Sequence, residues 1–224
     1  MYLIYKWLSS HKLVLLIEAP LIQNKDLLIE KNIRVIGIDN DVDYIESSKL
    51  HISKAKLDHR IRVYHHNIYK MDELKGKLLL PRGDEDFTHA LTEEVLFDAI
   101  FFSGTLPVLH DKVGAINGLA SWRKPKCKIM VCQAAQYESL LIPLARVFKP
   151  MLYYLTSVDH GELITEEEAV HLFELTIRRE CKLDVTHHES LESYNNPLEA
   201  AYFTILEPMS ERDRKAHEVA DRIK

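Results

Sequence analysis

Glycine is scarce in this chain. There are 224 residues and only 7 glycines, none before Gly37, against a usual share of roughly 7%. Backbone that approaches a phosphate closely, or turns through positive φ, is normally built from glycine. The shortage excludes a P-loop or a complete glycine fingerprint ahead of Gly37, where an α/β fold would place one. Cysteine is scarce as well. Cys127, Cys132 and Cys181 are an odd number with no CxxC spacing. That points to reduced thiols and away from a secreted disulfide framework or a zinc site. Long apolar runs are missing too. The N-terminal stretch 1–22 is interrupted by Lys6, His11, Lys12 and Glu18, so nothing approaches the roughly 20 apolar residues of a membrane span. The expected location is intracellular and cytoplasmic, with a short targeting segment around Tyr2 to Ser10 left open.

The remaining composition is that of a globular protein, with 46% hydrophobic and 28% charged residues. The length suits one domain over 1–208, followed by a charged helix or tail over 209–224. Lys and Arg total 29 and Asp and Glu 34, a net charge of −5. That balance argues against a dedicated nucleic-acid binder, because phosphate contacts dominate such affinity. Arg123, Lys124, Lys126 and Lys128 form a basic cluster. It reads as a solvated loop and is the one place where an RNA partner would be sought.

Short apolar runs alternate with helical patterns. Strands are expected at Leu13 to Ile17, Arg34 to Ile38, Arg60 to Tyr64, Phe97 to Phe102 and Lys128 to Cys132. Helices are expected from Asn24, from Asp41 to Lys56, around Met71 to Leu78 and over Lys112 to Ala120. The polar stretch 81–92 reads as a loop or insertion. Thr165 and Glu168 have capping-box spacing: hydroxyl and carboxylate each satisfy an orphan backbone donor at a helix start. Ala169, Leu172, Phe173, Thr176 and Ile177 then follow as an apolar stripe. Leu183 to His187 and Ala200 to Leu206 read as closing strands joined by a turn at 195–197. Five strands separated by helices imply a parallel sheet with right-handed crossovers, and the last two strands give it an antiparallel end.

This order, and several strand ends, resemble the class I S-adenosylmethionine (SAM)-dependent methyltransferases over roughly Lys12 to Pro208. The resemblance implies a Rossmann-like, mostly parallel seven-stranded sheet with helices on both faces and an antiparallel C-terminal strand. It also implies SAM as cofactor. The best-matching piece is IRVIGIDND, Ile33 to Asp41. Asp39 stands where the family's acidic residue holds the cofactor's ribose hydroxyls, with Asn40 beside it. A carboxylate beyond the C-terminal end of a parallel strand faces the crevice where ligands bind. The alternative is that Asp39, Asn40 or Asp41 caps the next helix, the role expected of Asp41. Asn67 and Ile68 match the family's amide-then-apolar pair around the adenine, or Asn67 is a turn residue. Ser103 and Gly104 fall where the family lines the cofactor and substrate cleft, or form an ordinary turn. Tyr153, Tyr154, Asp159 and His160 fall among its variable substrate-side elements.

One departure matters. The family's first strand usually ends in an acidic residue followed by alternating glycines. Keeping the common spacing, those glycine positions fall on Glu18, Pro20 and Ile22. Proline fixes φ and lacks an N–H, and isoleucine is poorly tolerated at positive φ. Two functions remain open. One is a methyltransferase acting on an unknown acceptor. The other is a methyltransferase-like domain without a cofactor site, serving as a binding or scaffolding subunit for a protein partner. No dedicated catalytic base is evident, and Cys132 reads as core. The pairs His65-His66 and His187-His188 stand out, yet neighbours on a strand point to opposite faces, so no metal site is assigned.

Overall fold

The structure is a computed structural model of the chain. It describes residues 13–17, 25–78, 96–136, 143, 146–148, 164–192 and 199–214. Expectations for Glu18, Pro20 and Ile22, the loop 81–92, Tyr153, Tyr154, Asp159, His160 and the turn 195–197 lie outside these residues.

The strands are β1 (Leu13–Ile17), β2 (Arg34–Asp39), β3 (Ile61–His65), β4 (Phe97–Ser103), β5 (Arg123–Gln136), β6 (Leu183–Glu192) and β7 (Glu199–Pro208). They form one sheet of seven in the order β3-β2-β1-β4-β5-β7-β6. Helices flank it: α1 (Lys25–Glu30), α2 (Val42–Lys54), α3 (Met71–Leu78) and α4 (Lys112–Gly118). A further helical run is made of α5 (Glu166–His171), a π segment (Leu172–Ile177) and α6 (Arg178–Cys181). The fold is the expected Rossmann-like α/β class, mostly parallel with antiparallel C-terminal strands. The chain divides into two compact units, Met1–Ser103 with Gly114–Met130, and Gly104–Val113 with Val131–Lys224.

In the first unit β1 runs parallel to both β2 and β4, and β2 parallel to β3. Val14, Leu15 and Leu16 in β1 are buried, as are Val35 to Ile38 in β2 and Ala99 to Phe102 in β4. Such unbroken apolar runs are the mark of strands covered on both faces. β3 holds Arg62, Val63 and Tyr64 only half-buried, as its place at the sheet edge requires. Gly37 sits opposite Val63. A Cβ there would meet Val63 Cγ1 at 2.9 Å, so this glycine is required for close packing between the two strands.

In the second unit β6 and β7 pair antiparallel with a shift between Val185 and His187. The capping box at Thr165 is complete. Glu168 N–H donates to Thr165 Oγ1, and Thr165 N–H donates to Glu168 Oε2. Ala169, Phe173, Ile177 and Cys181 are all buried, a stripe at every fourth residue. A regular α-helix turns about 40° past a full circle in four residues, so such a stripe would wind around it. The wider π segment takes back that drift and keeps the stripe on one line.

The basic cluster is not a loop. Arg123 to Lys128 lie within β5, and Lys124 Nζ is 2.9 Å from Asp98 Oδ2. Period-two burial explains the correction: Cys127, Ile129, Val131, Gln133 and Ala135 all point inward. The strand therefore extends beyond its apolar centre in both directions.

Candidate cofactor site

The parallel strands of the first unit end along one edge, and β2 and β3 deliver the candidate residues there. Asp39 closes β2, opposite His65 at the end of β3. His66 N–H donates to the Asp39 carbonyl at 2.8 Å, extending the ladder by one residue. The Asp39 side chain turns forward: Asp41 N–H donates to its Oδ1 at 2.8 Å. Asp41 then caps α2, accepting from Asp43 N–H at 2.9 Å and Tyr44 N–H at 3.1 Å. The two acids thus divide the two roles open to this segment. Asp41 is the cap, and Asp39 is left half-buried at the strand end.

Burial pushes the Asp39 carboxyl above its ordinary range. The Asp41 charge works in the same direction, against the N–H groups of Asp41 and Asn40 and the His65 side chain. A carboxylate short of solvent gains from any ligand hydroxyl that donates to it.

Asn40 is exposed, and its carbonyl accepts from His65 Nε2 at 3.2 Å. The sequence reasoning missed His65 as part of this cluster. Its signal was its place directly across the ladder from Asp39. Its neighbour turns away: the buried His66 donates through Nε2 to the Lys70 carbonyl at 2.8 Å. Asn67 caps the 3-10 turn Ile68–Lys70, its Oδ1 accepting from Tyr69 N–H at 2.9 Å. The carbonyl of Asn67 is therefore committed to the turn, and its amide group retains the donors. Ile68 is buried.

Ser103 ends β4, half-buried. Gly104 opens the second unit at φ 73°, a left-handed conformation that favours glycine. Its N–H donates to the Cys132 carbonyl at 2.7 Å. The cysteines are poor nucleophiles. Burial pushes the Cys127 thiol up to about 12 and raises that of Cys132 as well, so both stay protonated at neutral pH. Among the described residues no group of His, Cys, Asp and Glu is placed to hold a metal ion. No helix among them is long and apolar enough to cross a membrane.

Asp39 ends β2, and Asn67 and Ile68 follow closely after the end of β3, its parallel neighbour.

No protein-family model matches the sequence, and no curated protein matches it. Solved structures do match. A SAM-dependent methyltransferase from Aquifex aeolicus is 14% identical, with a TM-score of 0.57 over 92% of this chain and 87% of that one. A 1,6-didemethyltoxoflavin-N1-methyltransferase from Burkholderia thailandensis, with bound S-adenosylhomocysteine, is 12% identical, with a TM-score of 0.55 over 90% and 72%. The [4+2]-cyclase SpnF is 11% identical, with a TM-score of 0.59 over 91% and 77%. The likeness spans nearly the whole chain and shows a shared fold, broadly that of the SAM-dependent methyltransferases. A cyclase among the matches illustrates that this fold does not fix the reaction.

Proposed function

We propose that this protein binds SAM through the β2–β3 edge and transfers its methyl group to an acceptor that carries its own lone pair. The observation that carries this reading is Asp39, a half-buried carboxylate at the C-terminal end of a central parallel strand, oriented by the Asp41 N–H. Bound SAM supplies a methyl group activated by its sulfonium. Asp39 accepts from the ribose hydroxyls, each charged hydrogen bond contributing about 1.5–3 kcal/mol. Asn67 donates its amide N–H to an adenine ring nitrogen, and Ile68 lies against the ring. Ser103 ends β4 on the same edge of the first unit's parallel strands. Positioning then supplies most of the rate. Cys127 and Cys132 are too weakly acidic to serve as thiolates, which favours an acceptor that needs no deprotonation.

A second reading is a non-catalytic domain that binds a protein partner through the same fold. Glu18, Pro20 and Ile22 favour it, because they replace the glycines that admit the cofactor's methionine end. Calorimetric titration with SAM and S-adenosylhomocysteine separates the two. Micromolar binding, weakened by about 10- to 150-fold in Asp39→Ala, supports the enzyme. A folded protein that shows no heat at millimolar ligand excludes it.

A further inference from the structure

The net charge of −5 is not evenly spread. The parallel strands of the first unit begin along one edge, opposite the edge that carries Asp39. Lys31 and Arg34 lie where α1 leads into β2. Lys54, Lys56 and Arg60 lie where α2 leads into β3. Arg123, Lys124 and Lys126 open β5, and the Lys124–Asp98 ion pair holds that opening beside the start of β4. Among the described residues, these eight cations share the edge with three carboxylates, Glu30, Asp58 and Asp98. The opposite edge is acidic, with Asp39 ending β2 and Asp41 and Asp43 starting α2.

Much of this charge faces solvent. Lys54, Lys56, Lys124 and Lys126 are exposed. Of those four, Lys124 alone makes an ion pair among the described residues. Arg60 is held by a neutral group, its Nη1 donating to Asn32 Oδ1 at 2.7 Å, so its charge is not cancelled. The cations fall into two groups. One sits at β3 and β2 and the other at β5, with β1 and β4 between them. Neighbouring strands are about 4.8 Å apart, so the groups stand roughly 14–19 Å apart. That separation spans the phosphates on either side of a major groove about 12 Å wide. Among the described residues, no Phe, Tyr or Trp is exposed at this edge. Base stacking with a single strand, or aromatic anchoring in a lipid interface, therefore has no side chain to use here.

We propose that this edge docks a B-form DNA duplex through its phosphates, without regard to base sequence. Each lysine or arginine that meets a phosphate releases condensed counterions, which is the source of such affinity. The Asp39 edge repels the same duplex and turns the first unit so that its candidate cofactor site faces away. The whole-chain charge argues against a nucleic-acid partner only if it is averaged over both edges.

The test is fluorescence anisotropy of a fluorescein-labelled 20-base-pair DNA duplex with the full chain. Wild type is expected to bind with a Kd of about 1 µM in 50 mM salt. Binding should weaken by about 100-fold in 200 mM salt, the loss produced by four phosphate contacts. Combining Lys54→Ala, Lys56→Gly and Lys126→Ala is expected to weaken binding at least 30-fold in 50 mM salt. It should also lower the slope of log Kd against log salt by about three. Arg212→Ala, an exposed arginine of the second unit, is expected to leave binding unchanged. The proposal is overturned if about 100 µM protein gives no anisotropy change in 50 mM salt, or if Kd is insensitive to salt. Equal binding by wild type and the triple variant overturns it as well, and so does an equal loss in Arg212→Ala. Vesicles of phosphatidylserine and phosphatidylcholine are the competing anionic surface. If they bind the protein and the duplex does not, the edge belongs to a membrane and the proposal is rejected. The salt series on wild type needs no variant. None of these measurements involves SAM, so failure here and failure of cofactor binding are separate results.

Discussion

Asp41 N–H donates to Asp39 Oδ1 at 2.8 Å while the Asp41 carboxylate caps α2. One acid is spent on the helix, and the other is held half-buried at the strand end. The raised Asp39 pKa gives this a measurable sign. The folded state favours the protonated acid, so stability is greatest below the unfolded pKa and declines as pH rises through the folded one. Asp39→Asn is therefore expected to raise the thermal midpoint at pH 7. The gain disappears on acidification below the ordinary carboxylate range. Melting curves of both proteins from pH 3 to 8 test this. A variant less stable than wild type at pH 7 contradicts it. Any SAM binding should weaken on acidification at a higher pH than an ordinary aspartate would impose.

The capping box gives a prediction of opposite sign. The Thr165 N–H holds the Glu168 carboxyl below its usual range; burial opposes it, and the Arg146 guanidinium and the Thr165 hydroxyl add to the lowering. Its contribution is present above the unfolded pKa and is lost as pH falls through the folded one. Glu168→Gln is expected to destabilise slightly at pH 7 and to match wild type in acid. The effect is small because the Arg146–Glu168 pair is exposed to solvent. Thr165→Ala removes the cap itself and should cost about 1 kcal/mol at either pH. Denaturant titrations at pH 3 and pH 7 distinguish the two variants.

Glycine shortage leaves a mark on the helix ends. Lys56 and Lys182 stand at positive φ, 57° and 55°, just beyond α2 and α6. Glycine is the usual residue there. A left-handed side chain costs about 1–2 kcal/mol, offset in part by the backbone entropy that glycine loses. Lys56→Gly is expected to stabilise the protein by about 0.5 kcal/mol. Gly104→Ala, at φ 73°, should cost about 0.5 kcal/mol by the same arithmetic reversed. Equal midpoints for wild type and both variants would remove backbone strain as the explanation.

The buried thiols provide a kinetic check. With Cys127 pushed up to about 12 and Cys132 raised too, alkylation by iodoacetamide at pH 8 should be slow in the native protein and rapid in denaturant. Peptide mapping by mass spectrometry reads both sites. Fast native labelling of Cys132 would reopen a nucleophilic role for it.

Much of the fold is visible in residue order. LVLLI, RVIGID and FDAIFFS are apolar enough to mark central parallel strands, and all three form them. The Thr165–Glu168 spacing places a helix start to the residue. The charged and proline-containing start of β5 hid its length, because its signal was alternation and not hydrophobicity. Of the candidate site, Asp39 and Asn67 were legible from their positions after strands. Their hydrogen bonds were not, because Asp39, Asn40 and Asp41 are chemically similar candidates for one cap.

The sequence by itself determined the alternation of strand and helix, the strand-end carboxylate and the absence of an early glycine loop. These follow from local chemistry: periodicity, turn residues and the conformational limits of each side chain. Tertiary structure alone decided that β7 lies next to β5, with β6 outside it. It decided that Asp41 takes the helix while Asp39 remains at the strand end, and that His65 joins them across the ladder. It also decided that the polar Gln133 is buried in β5. Each of these depends on which segments meet in space, and pairing energy between distant strands leaves no trace in local sequence.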